Sequence, residues 1–240
     1  MDVAVVLVAA GAGHRLGAEV PKALVWLAGR PLVAHAAERI AATGMVGTLV
    51  ITAPAGHGEH IRAAAADGLR AADPPMDLQV VEGTFPSRQA SVAAGLRRVG
   101  ADTPVVLVHD AARPLTPPEM MIRLIEAVRS GHDAVVPAVA VTDTIRTVDP
   151  RDPTRALGVV DRRHLRAVQT PQAFRAEVLH RAHAHGADRA GDERTAATDD
   201  ASLVEELSIP VHLIDGERAA MKITDQHDLA VAASFLPEER

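Results

Sequence analysis

The chain has 240 residues, and its length, composition and charge exclude several classes of protein. It contains no cysteine, so disulfides, thiolate metal sites and cysteine nucleophiles are excluded. Aromatic residues make up 2% of the chain and the formal net charge is −6, which argues against nucleic acid as a partner. A chain of this length can bury a full core, and we expect a single domain over 1–240 built on Ala, Val, Leu and Ile.

The N-terminal apolar run, Val3–Val8, predicts a buried first strand. The run is too short for a membrane span, and it follows an acidic residue and leads into glycines, which is not typical of a signal peptide. We therefore expect no membrane association and a cytoplasmic location.

Short runs rich in Val and Ile alternate with segments of helical periodicity. The expected strands are Val3–Val8, Thr48–Thr52, Leu78–Val81, Val105–Val108, Ala134–Val139 and Val211–Ile214. The expected helices are Pro31–Thr43, Glu59–Leu69, Arg88–Val99, Pro118–Ser130 and Gln226–Leu236. The alternation predicts an α/β fold with a Rossmann-like, mostly parallel sheet flanked by helices, and ligands at the carboxyl ends of its strands.

Two later stretches depart from this alternation. The first, 139–174, consists of short β-like pieces with two Asp-Pro turn pairs and no convincing helix. It predicts a projecting β-arm, which would need a partner surface because an isolated hairpin is marginally stable in water. The second, Ala187–Asp200, is polar and rich in Ala, and is predicted to be a flexible loop.

The loop after the first strand reads LVAAGAGHRLGAEVPKAL over 7–24. Its glycines are spaced G-x-G-x-x-x-G, which matches neither the dinucleotide-binding G-x-G-x-x-G nor the P-loop. The small residues 9–13 would let backbone N–H groups approach an anion, and Arg15 and Lys22 add two cations. These features favour a bound triphosphate, whereas the alternative is a tight strand-to-helix turn with two solvated cations.

A second candidate site lies in VLVHDAARP, where Asp110 ends a fully apolar strand. A carboxylate there could accept a ribose hydroxyl or orient a metal-bound water, and Ala111 and Ala112 leave room for a ligand. The alternatives are a helix N-cap or a structural ion pair between Asp110 and Arg113.

Seven motifs spread over nearly the whole chain form a set. They are AAGAGHRLGAEVPKAL, SRQASVAAGL, VLVHDAARP, VTDTI, VDRRHLRAVQTPQAF, TDDASLVE and MKITDQHDL. Together they resemble the 2-C-methyl-D-erythritol 4-phosphate cytidylyltransferase family. The resemblance implies a nucleotidyltransferase that joins 2-C-methyl-D-erythritol 4-phosphate to CTP and releases pyrophosphate, in non-mevalonate isoprenoid biosynthesis. The alternatives are a cytidylyltransferase for another polyol phosphate, such as ribitol 5-phosphate, and a catalytically silent nucleotide-binding module.

The resemblance also implies roles for individual residues. The catalytic cations would be Arg15, Lys22, Arg162 and Lys222. CTP would be held by Ala9, Ala10, Gly11, Ala12, Gly13, Gly83, Arg88, Ser91, Asp110 and Ala111. The second substrate would contact Arg113, Thr144, Arg162, Thr170, Thr198 and Lys222. Such roles suit phosphoryl and nucleotidyl transfer, which depend on positioning and on cations at the phosphate oxygens.

The same resemblance implies a metal and a protein partner. Mg²⁺ would bind with the CTP triphosphate, mostly through phosphate oxygens and water, with Asp110 as the protein contact. The arm over 139–174 would exchange with a second subunit in a homodimer, so that Arg162 serves the neighbouring active site.

The chain departs from the family pattern in two loops. The family usually has a glycine pair two residues before Arg, whereas EGTFPSRQAS places the single Gly83 five residues before Arg88, which predicts a remodelled base-reading loop. The loop before TDDAS is also longer than usual.

Five histidines have ligand-like spacing but no further ligands nearby in the sequence, and we predict that they are solvated surface residues. They are His57, His60, His180, His183 and His185.

Overall fold

A computed structural model of the chain describes residues 2–11, 13, 16–17 and 20–236. Its strands are β1 (Val3–Val8), β2 (Trp26–Leu27), β3 (Arg30–Pro31), β4 (Thr48–Pro54), β5 (Asp77–Gly83), β6 (Val105–Asp110), β7 (Ala134–Ala140), β8 (Ile145–Asp149), β9 (Asp152–Val160), β10 (Arg166–Val168), β11 (Gln172–Arg175) and β12 (His212–Asp215). Its α-helices are α1 (Leu32–Ala41), α2 (Gly58–Gly68), α3 (Arg88–Leu96), α4 (Pro118–Arg129), α5 (Ala176–His185), α6 (Asp200–Glu205) and α7 (Gln226–Ala233).

The central sheet has eight strands and is mostly parallel, which confirms the predicted fold class. Seven strands follow in the order β10-β7-β11-β6-β1-β4-β5, and β12 also pairs with β7. The neighbours β6, β1, β4 and β5 are parallel, whereas β10 and β11 run antiparallel to the strands they join. The apolar runs at β1 and β6 are buried because helices cover both faces of the sheet.

The core lies on both sides of the sheet, and alternate side chains of β1 belong to different sides. Val3, Val5 and Leu7 pack in the cluster that contains the apolar faces of α1, α2 and α4. Val6 packs in the cluster formed by α3, α5 and α6, together with Phe174 of β11. The helices cover the two faces of the sheet, whereas the carboxyl ends of its parallel strands are left uncovered.

The β-arm is shorter than predicted. Strands β8 and β9 form an antiparallel hairpin in a sheet of their own, with side chains exposed along most of its length. The rest of the predicted stretch 139–174 does not project: Val139 and Ala140 end β7, and β10 and β11 return to the central sheet. The prediction is wrong at 172–174, because the strand β11 is too short to show a pattern and its burial between β6 and β7 decides its structure.

Helices α5 and α6 are not among the helices expected from the sequence. α5 is short and rich in Ala and His, so its apolar periodicity is weak, yet it buries Val178, Leu179 and Ala182. α6 starts at the Asp199 N-cap, whose side chain accepts a hydrogen bond from Ser202 N at 3.0 Å. No helix in the described part of the chain is both long enough and apolar enough to cross a membrane.

The stretch Ala187–Asp200, predicted to be a flexible loop, is instead fastened to α3. Ser87 Oγ donates a hydrogen bond to Ala190 O at 2.7 Å. Ala197 N donates to Gln89 Oε1 at 2.9 Å. Because Gln89 is buried, these contacts hold the stretch against the body of the fold.

Candidate active site

A cleft of about 720 Å³ opens at the carboxyl ends of β1 and β6, where the fold type predicts a ligand site. Backbone hydrogen bonds fix the chain as it leaves these strands: Ala9 N donates to Thr52 O at 3.0 Å, and Ala111 N donates to Val8 O at 3.0 Å. The predicted site residues that line the cleft are Ala9, Ala10, Gly11, Gly13, Lys22, Arg88, Ser91, Asp110, Ala111 and Lys222. Residues that are distant in the sequence therefore meet at one edge of the sheet.

The loop after β1 brings Lys22 back against its own glycines. Lys22 N donates to Gly11 O at 3.2 Å. Gly13 has a φ of +74°, and a Cβ added there would lie 3.0 Å from Lys22 Cβ. A larger residue at Gly13 would therefore be strained and would displace Lys22. Two other predicted residues of this loop, Ala12 and Arg15, lie outside the described residues.

Asp110 is buried at the floor of the cleft between two cations. Its Oδ1 accepts from Arg88 Nε at 3.1 Å, and its Oδ2 lies 2.8 Å from Lys222 Nζ. Burial alone raises the pKa of Asp110, but the charges of Arg88 and Lys222 outweigh burial and hold that pKa well below its usual range. Asp110 is therefore an anion at neutral pH and accepts hydrogen bonds only.

Arg88 is the first residue of α3, and its side chain is 17% exposed. The helix is capped by Ser87, whose side chain accepts from Ala90 N at 3.0 Å. In addition to its bond with Asp110, Arg88 donates from Nη1 to Asp200 Oδ2 at 2.7 Å. Burial lowers the pKa of Arg88, but the two carboxylates raise it above its usual value, so the guanidinium remains charged.

Asp200 is held in turn by groups behind the cleft. Asp200 N donates to Gln172 Oε1 at 3.2 Å, and Asp200 Oδ1 lies 2.9 Å from His183 Nε2. The prediction of a solvated histidine is thus wrong for His183, because α5 turns this side chain inward and only 7% of the residue is exposed. His180 and His185 on the same helix are exposed as predicted.

The described residues of the cleft do not form a metal site by themselves. Each carboxylate oxygen of Asp110 already faces a cation. Over the described ranges there is no group of three or more His, Cys, Asp or Glu side chains that could hold a metal ion. The predicted metal contact at Asp110 therefore has no supporting protein ligands, and a divalent cation there would depend on oxygens brought by a nucleotide.

The loop after β5 forms a wall of the cleft through side chains that the sequence analysis did not name. Phe85 folds over Gly83, so closely that a Cβ on the glycine would lie 3.2 Å from the ring. Phe85 and Pro86 line the cleft together with Glu193, whose Oε2 accepts from Arg88 N at 3.1 Å. The signal in the sequence is the departure from the family pattern between Gly83 and Arg88, because the extra residues carry this aromatic ring.

Two residues predicted to contact the second substrate instead support neighbouring backbone, Arg113 from a half-buried position and Thr170 from a buried one. Arg113 Nη1 donates to Ala220 O at 2.6 Å and so fastens the segment that carries Lys222. Thr170 Oγ1 accepts from Asp110 N at 3.0 Å and fixes the backbone of the cleft carboxylate. In this structure neither side chain lines the cleft.

The remaining residues predicted for the second substrate lie outside the cleft. Thr144 and Thr198 are exposed and do not line it. Arg162 is exposed at the base of the hairpin, where it donates to Thr142 O. The structure of one chain therefore does not bring Arg162 together with Lys222.

The sequence of the chain is similar to one family throughout. The family model described as 2-C-methyl-D-erythritol 4-phosphate cytidylyltransferase matches residues 3–238. The protein of this name from Frankia casuarinae is 42% identical over 98% of this chain and 81% of its own length. The corresponding protein from Rhodococcus jostii is 43% identical over 96% of this chain and 93% of its own length.

Solved structures are similar over the same extent. The crystal structure of 2-C-methyl-D-erythritol 4-phosphate cytidylyltransferase from Thermus thermophilus superposes with a TM-score of 0.74 at 33% identity, over 98% of both chains. The 4-diphosphocytidyl-2C-methyl-D-erythritol synthase of Anaerococcus prevotii shares the fold, with a TM-score of 0.78 at 23% identity over 97% of this chain and 95% of its own. Because the family model and the relatives at 42% and 43% identity match nearly the whole chain, it belongs to the 2-C-methyl-D-erythritol 4-phosphate cytidylyltransferase family.

Proposed function

We propose that the chain transfers the cytidylyl group of CTP to 2-C-methyl-D-erythritol 4-phosphate and releases pyrophosphate, as a step of isoprenoid precursor biosynthesis. The observation that carries the proposal is the meeting of Arg88, Asp110 and Lys222 in the cleft that also holds Lys22 and the glycine loop. Cations on separate segments of one cleft suit two substrates that both carry phosphate.

The nucleotide lies in the cleft with its triphosphate on the loop after β1. Gly11 and Gly13 have no side chains to keep an anion from the backbone, and Lys22, whose backbone and Cβ lie against Gly13, supplies a cation. Asp110 accepts a ribose hydroxyl because it stays ionised. Ser91, which is hydrogen-bonded to Thr52 across 2.7 Å between hydroxyl oxygens, faces the base.

The reaction is a direct in-line displacement. A phosphate oxygen of the second substrate forms a bond to the α-phosphorus of CTP, while the bond from that phosphorus to the oxygen bridging to the β-phosphorus breaks. Pyrophosphate leaves with the bonding electron pair. The attacking oxygen is already an anion, so no protein base is needed, and catalysis comes from positioning and from cations at the phosphate oxygens.

Lys222 links the two substrates in this scheme. In the structure its ammonium group is held 2.8 Å from Asp110 Oδ2 at the edge of the cleft. An ammonium group has three donors, so it can bind an incoming phosphate while it keeps the carboxylate. The second substrate is thereby placed beside the nucleotide that Asp110 holds.

Mg²⁺ enters this proposal as part of the nucleotide substrate rather than as a resident metal. It would neutralise charge on the triphosphate so that a second phosphate can approach. Chelation with EDTA is accordingly expected to stop turnover without changing the melting temperature of the free protein. A drop in that melting temperature would indicate a structural metal and contradict this part of the proposal.

The working form is proposed to be a homodimer joined by the β8–β9 hairpin. Leu157 and Val159 of β9 are 56% and 60% exposed, and two apolar side chains so close together on an exposed hairpin suit a surface that packs on a partner. Arg162 follows the hairpin and is exposed, so a second chain packed there could receive it. In this arrangement Arg162 contacts the second substrate in the neighbouring cleft.

The experiment that tests the function is a pyrophosphate-release assay with CTP, Mg²⁺ and either 2-C-methyl-D-erythritol 4-phosphate or ribitol 5-phosphate. Release with the first and not the second is the expected result. Release with ribitol 5-phosphate alone would replace the substrate assignment. Absence of release with both, by a protein that still binds CTP, would favour a silent nucleotide-binding module.

A further inference from the structure

A row of buried or largely buried polar side chains leads from α5 to the floor of the cleft. His183 Nε2 lies 2.9 Å from Asp200 Oδ1, Asp200 Oδ2 accepts from Arg88 Nη1 at 2.7 Å, and Arg88 Nε donates to Asp110 Oδ1 at 3.1 Å. The side chains of His183 and Asp200 are 6% and 1% exposed, and neither lines the cleft. Only the far end of the row, at Arg88 and Asp110, reaches the candidate site.

The anchoring of Asp200 makes this row rigid. Gln172 Oε1 accepts from Asp200 N at 3.2 Å and from Ala201 N at 3.0 Å, so the start of α6 is tied to β11. Gln172 Nε2 also donates to Asp199 Oδ2 at 2.8 Å. The Asp200 carboxylate therefore has a fixed place, and His183 fixes its rotation by occupying Oδ1.

A fixed carboxylate matters because of the side chain that it holds. An arginine side chain has many rotamers, and ordering it costs conformational entropy. Arg88 is held at two of its nitrogens by two different carboxylates, and this fixes the guanidinium plane. With Oδ1 of Asp110 occupied by Arg88, the other oxygen is directed to Lys222.

We propose that His183 and Asp200 are positioning residues for the nucleotide: through Arg88 they fix the orientation of the Asp110 carboxylate that holds ribose and Lys222. The inference rests on the proposed function, because it assumes that CTP occupies the cleft. Neither residue touches the substrates, so both act only through Arg88.

The test uses two substitutions at one buried position. His183→Leu keeps apolar bulk but removes the nitrogen at Asp200, whereas His183→Gln keeps an N–H donor near the place of Nε2. His180→Leu is the matched control, because His180 lies on the same helix and is exposed. Asp200→Asn is a further variant, and if it does not fold, the His183 pair still decides the outcome.

CTP affinity is measured by calorimetry without the second substrate, beside KM, kcat and the melting temperature. We expect His183→Leu to weaken CTP binding and raise the KM for CTP about tenfold, while His183→Gln and His180→Leu stay within about twofold of the unmodified protein. If His183 only filled space, CTP affinity would not be expected to recover in His183→Gln.

Three results would overturn the inference. They are unchanged CTP affinity in His183→Leu, equal losses in the Leu and Gln variants, and an equal loss in His180→Leu. The affinity measurement also separates this inference from the proposed function. If the unmodified protein binds CTP but turns over neither polyol phosphate, the function is wrong while the positioning role is still tested by the variants.

Discussion

At the scale of single residues, the surroundings of a side chain decide its chemistry. Asp110 is buried, which by itself disfavours a charge, yet Arg88 and Lys222 keep it ionised. Its backbone is held as well, through the hydrogen bond from Asp110 N to Thr170 Oγ1. An acceptor fixed in both position and charge can bind a hydroxyl without reorganising when the substrate arrives.

The first prediction concerns Lys22. If its charge matters mainly where negative charge develops on the leaving pyrophosphate, Lys22→Ala should lower kcat by about 100-fold and change the KM for CTP much less. Steady-state kinetics with varied CTP measures both quantities, and Lys22→Arg, which keeps the charge, should retain more of kcat. A rise in KM for CTP with kcat unchanged would assign Lys22 to ground-state binding instead.

The second prediction concerns His109, which is fully buried at the end of β6. Burial lowers its pKa from 6.5 to about 4. Because the unfolded chain takes up the proton more readily, this residue stabilises the fold above pH 6.5, and the contribution is lost as the pH falls toward 4. The expected loss is about 3 kcal/mol across that window.

Urea unfolding at a series of pH values measures this loss. His109→Asn keeps a nitrogen near Thr170, with which His109 Nδ1 shares a hydrogen bond of 3.1 Å, but it removes the titration. The variant should therefore show a shallower decline of stability between pH 6.5 and pH 4. Parallel curves for the two proteins would show that other groups cause the acid instability.

At the scale of elements, two loops that differ from the family pattern build one wall of the site. The loop after β5 carries Phe85 into the cleft, and the stretch 187–199 carries Glu193 to the start of α3. Ser87 Oγ joins the loops by donating to Ala190 O. Hydrogen bonds between the two loops and the start of α3 therefore hold this wall of the cleft in place.

The third prediction concerns the loop after β1. Gly13 and Gly17 both have positive φ, at +74° and +64°, but within the described part of the chain an added Cβ would meet a neighbour at Gly13 and none at Gly17. Gly17→Ala should therefore cost about 1 kcal/mol of stability from backbone strain alone. Gly13→Ala should cost more than this and should also weaken CTP binding, because the Cβ pushes on Lys22.

Melting curves and CTP titration distinguish these two effects. Gly11→Ala is a useful comparison for stability, because among the residues that the structure describes its Cβ would meet no atom within 4 Å, and its φ is not in the left-handed region. Equal stability and equal CTP affinity in the Gly13 and Gly17 variants would contradict the proposed contact with Lys22.

At the scale of the whole molecule, the hairpin of β8 and β9 is separate from the central sheet. It forms a separate two-stranded sheet, and such a unit is marginally stable when it has no partner surface. Its exposed Leu157 and Val159, and Arg162 at its base, are explained together if a second chain packs on it. Assembly would then be a condition for a complete active site.

The fourth prediction follows from this arrangement. Replacing Leu157 and Val159 by Ser should weaken the dimer at least about tenfold, because burying an apolar side chain of this size is worth about 1.5–3 kcal/mol. Light scattering over a dilution series measures the loss, and Arg151→Ser at the hairpin turn is the control. The double variant should also lose activity in parallel with the dimer, whereas full activity as a monomer would contradict the role given to Arg162.

The predictable parts of this protein are those with strong local patterns. The continuous apolar runs at β1 and β6 indicate strands covered on both faces, and both are found there. The glycines, the lysine of the first loop and Asp110 could be singled out because small residues and charges directly after such strands mark ligand sites. The strand β11 and the helices α5 and α6 could not be predicted in this way. These elements are short, polar or rich in Ala, and they take their structure from burial against the sheet.

By itself the sequence determined the fold class, the cleft residues of the first loop and of β6, and the family, because these depend on local order and spacing. Only the tertiary structure decided which charges pair. Asp110 meets Arg88 and Lys222, and Arg88 meets Asp200 with His183 behind it, across large separations along the chain. Charges that are distant in sequence interact strongly only where folding removes water between them, so their partners are set by packing rather than by any local pattern.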